Sequence, residues 1–298
     1  MLIAARPGQA DVKAVAASRV LDYLADKLEM IVARGKQPSA QRNAALKAAR
    51  GEIIYFLDDD SVPEPGNVRR AMSHFKDPKV QMVGGPNLCP AEAPPLERVF
   101  ALVLASWLAF GPSRARYAAV GQVRETSEKE LILCNLFARR QAMLELGGFN
   151  EALYPNEENA LMDELQKRGG KLIYDPQLLV RRRPRSSLEA FAKMLLTYGR
   201  GRAEQFRLHP TARSALNFVP PLFCLYLEAA EQERQHHGFA RPVHREPASR
   251  RDRRRVHRET EGEGDGLPHL LTHPSADHAR SKRPAAPWPQ PMHIVTTA

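Results

Sequence analysis

Three consecutive carboxylates, Asp58, Asp59 and Asp60, follow directly on the apolar run Ile53-Ile54-Tyr55-Phe56-Leu57. β-Branched and aromatic residues fill that run without a polar break, so it reads as a buried strand. Like charges gathered at a strand end repel one another, and a divalent cation among them is the simplest remedy. In open α/β sheets, ligands bind outside the carboxyl ends of the strands. The acidic cluster is therefore where a metal-bound phosphate ligand is expected.

The elements around it have the rhythm of an α/β fold. Leu2 to Ala5 read as a first strand, closed by the turn Arg6-Pro7-Gly8. A helix is predicted over 11–24, a strand over 28–33, a helix over 40–50 with Ser39 as N-cap and Gly51 after its end, a helix over 67–75 and a strand over 80–83. Strands alternating with helices predict a mostly parallel, mixed sheet with helices on both faces. In the second half, 130–134 reads as a strand and 139–146 as a helix ended by Gly147-Gly148. A further helix over 157–168 is capped by Asn156 and ended by Gly169-Gly170. The strand Lys171-Leu172-Ile173-Tyr174 follows, then a helix from Ser186 or Ser187 towards Leu208.

Composition narrows the partners. The formal charge of +10 suits an anionic partner such as a phosphate-bearing ligand, an acidic membrane surface or nucleic acid. The 3 cysteines, Cys89, Cys134 and Cys224, are far apart and show no zinc spacing, which favours a reducing compartment. No signal peptide is read at the start, and no stretch reaches the ~18–20 apolar residues that span a bilayer. Two shorter apolar runs, 99–110 and 216–227, remain, and the first suits either a buried or an interfacial helix. Near Glu228 the composition changes abruptly. The last 71 residues hold 8 of the 10 histidines, 11 arginines and 1 lysine, with sparse aliphatic residues and no period. The chain therefore divides into a folded region, 1–227, and a tail, 228–298, expected to be disordered. Its onset inside an apolar run reads as an out-of-frame stretch of the gene. The tail histidines lack ligand spacing, so no metal site is expected there.

Four groups of residues carry candidate chemistry. Asp58 and Asp60 form a D-x-D pair whose hard oxygens suit Mg²⁺ or Mn²⁺ bridging a diphosphate; the alternative is an acidic turn facing water. Gln41-Arg42-Asn43, beside Gly35-Lys36, offer donors to phosphate or sugar oxygens, or else form an ordinary helix start. Glu157 and Glu158 offer a general base, or merely complement a helix dipole. Arg181-Arg182-Arg183-Pro184-Arg185 and the pair Arg200 and Arg202 suit a diphosphate, an acidic acceptor or lipid headgroups, or else a solvated face.

With these residues in place, the chain resembles the inverting family-2 glycosyltransferases over residues 2–227. The matching segments are QRNAALKAARGEIIYFLDDDSVPEPG (41–66), GGFNEALYPNEENALMDELQKRGGKLIYDP (147–176) and RPRSSLEAFAKMLLTYGRGRAEQ (183–205). The last is most similar to the exopolysaccharide, succinoglycan-type branch. The resemblance implies a nucleotide-diphospho-sugar transferase fold, with Mg²⁺ or Mn²⁺ held by Asp58 and Asp60. It implies a donor site drawn from Ala4, Arg6, Arg34, Gln41, Arg42, Asn43, Asp58, Asp59, Arg185 and Arg200. The catalytic base would come from Glu157 and Glu158, with Glu158 standing where the family usually has Asp. Inversion would follow from in-line attack by an acceptor hydroxyl on the anomeric carbon. The implied partners are a nucleotide-sugar donor, a lipid-linked or polysaccharide acceptor and the inner face of the cell membrane, with no nucleic acid.

Three departures stand out. One or two residues of the first strand read as missing. Ala33-Arg34-Gly35-Lys36 replaces the acidic residue that usually meets the nucleotide base. The apolar run that would lead into membrane helices breaks off near Leu227. A decayed, inactive copy of such an enzyme is one alternative. A sugar nucleotidyltransferase is another, although it would need a Gly-rich loop where Arg6-Pro7-Gly8-Gln9 stands. A basic membrane or nucleic-acid binder lacks any accompanying binding motif.

Overall fold

The computed structural model describes residues 1–153, 156–208 and 293–297. The strands are β1 (Leu2–Ala5), β2 (Met30–Arg34), β3 (Ile53–Asp58), β4 (Val62–Pro63), β5 (Val80–Gly84), β6 (Asn87–Leu88), β7 (Arg124–Thr126), β8 (Asn135–Arg139), β9 (Lys171–Tyr174), β10 (Val180–Arg181) and β11 (His293–Thr297). The helices are α1 (Lys13–Ser18), α2 (Pro38–Ala48), α3 (Asn67–His74), α4 (Pro95–Ala105), α5 (Trp107–Phe110), α6 (Arg140–Glu145), α7 (Glu157–Lys167) and α8 (Leu188–Leu208).

Eight strands form one sheet in the order β11-β2-β1-β3-β8-β5-β9-β7, and β4-β10-β6 form a small second sheet. β1 pairs in parallel with β2 and β3, and β5 with β9, while β8 runs antiparallel between β3 and β5. The sheet is thus mixed, as expected. Its two faces follow from strand alternation. Leu2, Ile31, Ile54, Phe56, Leu136 and Leu172 pack with Leu46 of α2, Met143 of α6 and Met162 of α7. The intervening Ile3, Val32, Tyr55, Leu57, Val83 and Phe137 pack with Ala14 of α1 and with Val68 and Ala71 of α3. Both faces are covered, which is why β3 reads as an unbroken apolar run rather than an alternating one.

Four local expectations are corrected. The helix predicted over 11–24 shortens to α1, because the Asp22 amide donates to the Pro65 carbonyl at 2.8 Å instead of continuing the helix. Helix α2 starts at Pro38 rather than after Ser39. Proline suits a first helical position, and the Gln37 side chain accepts the Ala40 amide. The run 130–134 is not a strand but a turn, closed by the Asn135 amide on the Ile132 carbonyl at 3.1 Å, and the strand is β8. Leu131, Leu133 and Cys134 are buried there without sheet pairing. The rest of the chain from 209 to 292 lies outside the described residues, but β11 departs from a tail without structure. Ile294, Val295, Thr296 and Thr297 are β-branched, and they extend the sheet antiparallel to β2.

Candidate active site

The acids at the end of β3 are pinned by their own turn. The Asp58 amide donates to the Ser61 hydroxyl at 3.2 Å, and the Ser61 amide donates to the Asp58 carbonyl at 3.1 Å. From the other side, the Ala14 amide of α1 donates to the Asp59 carbonyl at 3.1 Å. In the register of β1 on β3, Ala4 lies level with Asp58.

Two arginines then thread the carboxylates together. Arg182, just past β10, places Nη1 3.1 Å from Asp58 Oδ2 and Nε 2.5 Å from Asp60 Oδ1. Arg42 of α2 places Nη2 3.1 Å from Asp58 Oδ1 and Nη1 3.2 Å from Glu157 Oε1. The result is one alternating row of charges, Asp60–Arg182–Asp58–Arg42–Glu157. It joins the strand-end acids to the head of α7, although Arg42 and Glu157 are 115 residues apart in sequence. Burial opposes ionisation of Asp58, but Arg182 and Arg42 outweigh it and hold its carboxyl below the usual range. Burial instead raises the Asp60 carboxyl, against the pull of Arg182 and with repulsion from Asp58 and Asp59.

Glu157 and Glu158 divide in character. Glu157 is 2% exposed and holds Arg42 with one oxygen, while its Oε2 has no hydrogen-bond partner among the described residues. Glu158 is half-buried, and its carboxyl is pushed up to about 7, first by burial and then by the charge of Glu157.

A cleft of about 440 Å³ opens beside this row. Asp60, Arg182, Arg183, Arg185 and Lys13 give it a charged side, and Ala101, Leu104, Tyr117, Ile132 and Met194 an apolar one. Lys13 and Tyr117 carried no sequence signal. Arg182 read as one residue of a solvated basic cluster, and only its ion pairs single it out.

The other predicted residues are placed as follows. Gln41 is buried, and its amide nitrogen donates to the carbonyls of Ala5 at 2.8 Å and Ala33 at 2.6 Å, stapling α2 to the ends of β1 and β2. Asn43 is spent on the loop before α7, donating to the Phe149 carbonyl at 2.8 Å and accepting the Phe149 amide at 2.8 Å. Arg34 donates to the Gln9 carbonyl and so braces the loop after β1, where Arg6 is exposed. Asp59 is half-buried in the acidic turn, Arg185 is exposed at the cleft, and Arg200 is exposed on α8.

Among the described residues, no group of three or more His, Cys, Asp or Glu side chains could hold a metal ion. Among the described residues no single helix is long and apolar enough to cross a membrane; one helix pair, Pro95–Ala105 with Trp107–Arg116, reaches that length and apolarity only when taken together, across a bend of 61°.

Comparison with known proteins agrees with this architecture. Two pre-mycofactocin glycosyltransferases, from Mycobacterium tuberculosis strains CDC 1551 and H37Rv, are each 29% identical over 182 residues, or 61% of this chain. The chain spans 37% of the length of those relatives. Among solved structures, the mannosyltransferase PcManGT from Pyrobaculum calidifontis, in complex with GDP-Man and Mn²⁺, superposes with a TM-score of 0.51 at 17% identity. That match covers 74% of this chain and 66% of the other. Residues 7–197 match the family described as glycosyltransferase like family 2, and the chain belongs to that family.

Proposed function

We propose that this chain is an inverting, metal-dependent glycosyltransferase that moves a sugar from a nucleotide-diphospho-sugar to a hydroxyl acceptor. The row Asp60–Arg182–Asp58–Arg42–Glu157 carries the reading, because it sets the strand-end acids and the α7 acids in one continuous site beside a cationic cleft. In this reading Glu158 is the base. A carboxyl titrating near neutrality accepts a hydroxyl proton far better than one at the ordinary value. Glu157 is the positioning residue: it fixes Arg42, and Arg42 in turn fixes Asp58.

The donor set fits a hard divalent cation. Asp58 and Asp60 already share one cation, the Arg182 guanidinium, and two carboxylates leave the remaining positions to phosphate and water oxygens. Asp58 and Asp60 would hold Mg²⁺ or Mn²⁺, whose charge would stabilise the departing nucleoside diphosphate. Arg185 and Lys13 add positive charge where a diphosphate would lie. PcManGT, the structural neighbour, holds Mn²⁺ with GDP-Man, which is consistent with this assignment.

The acceptor in this proposal is a polysaccharide or lipid-linked glycan at the inner face of the cell membrane. The segment 183–205 supports placement in the exopolysaccharide branch. The tail composition supports an out-of-frame origin for 228–298, which the nucleotide sequence around the Leu227 codon tests. A thermal-shift screen of nucleotide-sugars with Mn²⁺ tests the donor reading, because a ligand that binds the native state raises the melting temperature by mass action. A shift that needs both sugar nucleotide and metal is expected. No shift with any sugar nucleotide contradicts the proposal.

A further inference from the structure

Helix α4 separates its residues cleanly. Glu97, Phe100 and Leu104 face inward, where Phe100 stacks on Phe191 of α8 with ring centroids 4.2 Å apart. The opposite stripe is Leu96, Val99, Leu102 and Val103, with Leu102 72% exposed. The chain breaks at Ser106 and turns into α5, whose Trp107 and Leu108 are 62% and 95% exposed. Single exposed apolar residues are ordinary, but six on one bent pair of short helices form a patch that needs a partner.

The charges around the patch say which partner. Between Pro95 and Arg116 the acidic side chain is Glu97, and it is buried and neutralised by Arg183 at 2.7 Å. The basic residues at the patch edge are Arg98 and Arg114; Arg116 is turned inward, where it donates to the Glu128 carbonyl and, at 2.6 Å, to Asn159 Oδ1. Arg98 is exposed, and the Arg114 guanidinium lies 5.5 Å from the Trp107 ring centroid. An apolar stripe with tryptophan at its tip and arginines at its rim matches the boundary between acyl chains and anionic headgroups. A second copy of the same basic rim would be repelled.

We infer that α4 and α5 form a docking face for an anionic lipid bilayer, with Leu102, Trp107 and Leu108 entering the acyl boundary. The inner side of the same helix supplies Ala101 and Leu104 to the apolar wall of the cleft, so docking would bring the cleft to the lipid surface. This assignment does not depend on which sugar is transferred.

The test uses the full chain with Trp288→Phe, leaving Trp107 as the sole tryptophan of the 2 in the sequence. It is mixed with phosphatidylcholine vesicles, with or without roughly one third phosphatidylglycerol. With the anionic vesicles, the protein is expected to co-sediment, and Trp107 emission to shift to the blue and be quenched by brominated lipid. The double change Leu102→Asp and Leu108→Asp should weaken vesicle binding at least about ten-fold. Its melting temperature should not change, since both side chains are exposed. Three results overturn the inference: vesicle binding that survives the double change; a concentration-dependent dimer in light scattering that the double change abolishes; or Trp107 emission already blue-shifted without vesicles and unquenched with them, meaning that the chain itself covers the face.

Discussion

Replacing Arg42 with Met should expose how the charge row is held together. Arg42 contacts Asp58 at 3.1 Å and Glu157 at 3.2 Å, and its side chain is 10% exposed. Asp58 would keep Arg182 at 3.1 Å, so the change orphans one carboxylate rather than two. That carboxylate, Glu157, is 2% exposed and already has one oxygen without a partner among the described residues. Removing one member of a buried ion pair costs about 3–5 kcal/mol, and the surviving Asp58–Arg182 contact puts this case near 3. For a domain of this size, that lowers the melting temperature by roughly 6–12 °C. Adding Glu157→Gln removes the unpaired charge and should restore about 2 kcal/mol of the loss, measured as the difference in unfolding free energy between the single and double variants in urea. A loss below about 1 kcal/mol in the single variant, or a double variant no more stable than the single, would refute the reasoning.

The remaining predictions concern titration, the cation position and packing. Glu158 keeps its proton in the folded chain up to about pH 7, whereas the unfolded carboxyl loses it near 4.5. The native state therefore binds more protons across that window, and stability should fall as pH rises from 4.5 to 7 and then level off. Glu158→Gln should flatten that slope in pH-dependent melting and abolish transfer, whereas the wild-type transfer rate should show an acidic limb near pH 7. A slope unchanged in the variant counts against this assignment. Arg182→Gln should bind Mn²⁺ without donor at least about ten-fold more tightly, read by electron paramagnetic resonance, because the guanidinium no longer competes for Asp58 and Asp60. Equal or weaker binding would mean that the arginine does not share the cation's place. A Cβ on Gly85 would fall 2.1 Å from the Leu178 carbonyl oxygen, so Gly85→Ala should cost about 3 kcal/mol or more in urea unfolding. Gly66→Ala, with nothing within 4 Å, should stay within about 0.5 kcal/mol of wild type.

What the sequence made legible was local. The run Ile53–Leu57 announces a doubly covered strand because packing on both faces demands unbroken apolar residues. The acids after it stand out because charge ends the run. The positive-φ glycines Gly147, Gly148 and Gly169 likewise marked the ends of α6 and α7. Long-range pairing was not legible. Arg182 looked like any member of a basic cluster, since its partner Asp60 lies 122 residues away. Gln41 looked like a ligand donor, but its amide is committed to two strand carbonyls, the farther of them 36 residues away. The run 130–134 looked like a strand because burial selects the same apolar residues for a packed loop. The true strand β8 opens on a polar residue, Asn135. Its amide nitrogen donates to the Pro86 and Leu178 carbonyls, and its side-chain oxygen accepts from the Tyr55 hydroxyl at 3.0 Å. A buried asparagine with its polar groups satisfied leaves no trace in a hydrophobic pattern.

The central claim is that Asp58 and Asp60 hold the cation that steadies a leaving nucleoside diphosphate. The most direct measurement follows the phosphate product when the purified chain is given nucleotide-sugar, Mn²⁺ and an acceptor extract. The account predicts nucleoside diphosphate released in step with sugar transfer, lost in excess chelator and lost in Asp60→Asn. Release of pyrophosphate instead, or transfer that persists in the variant under chelation, would contradict it.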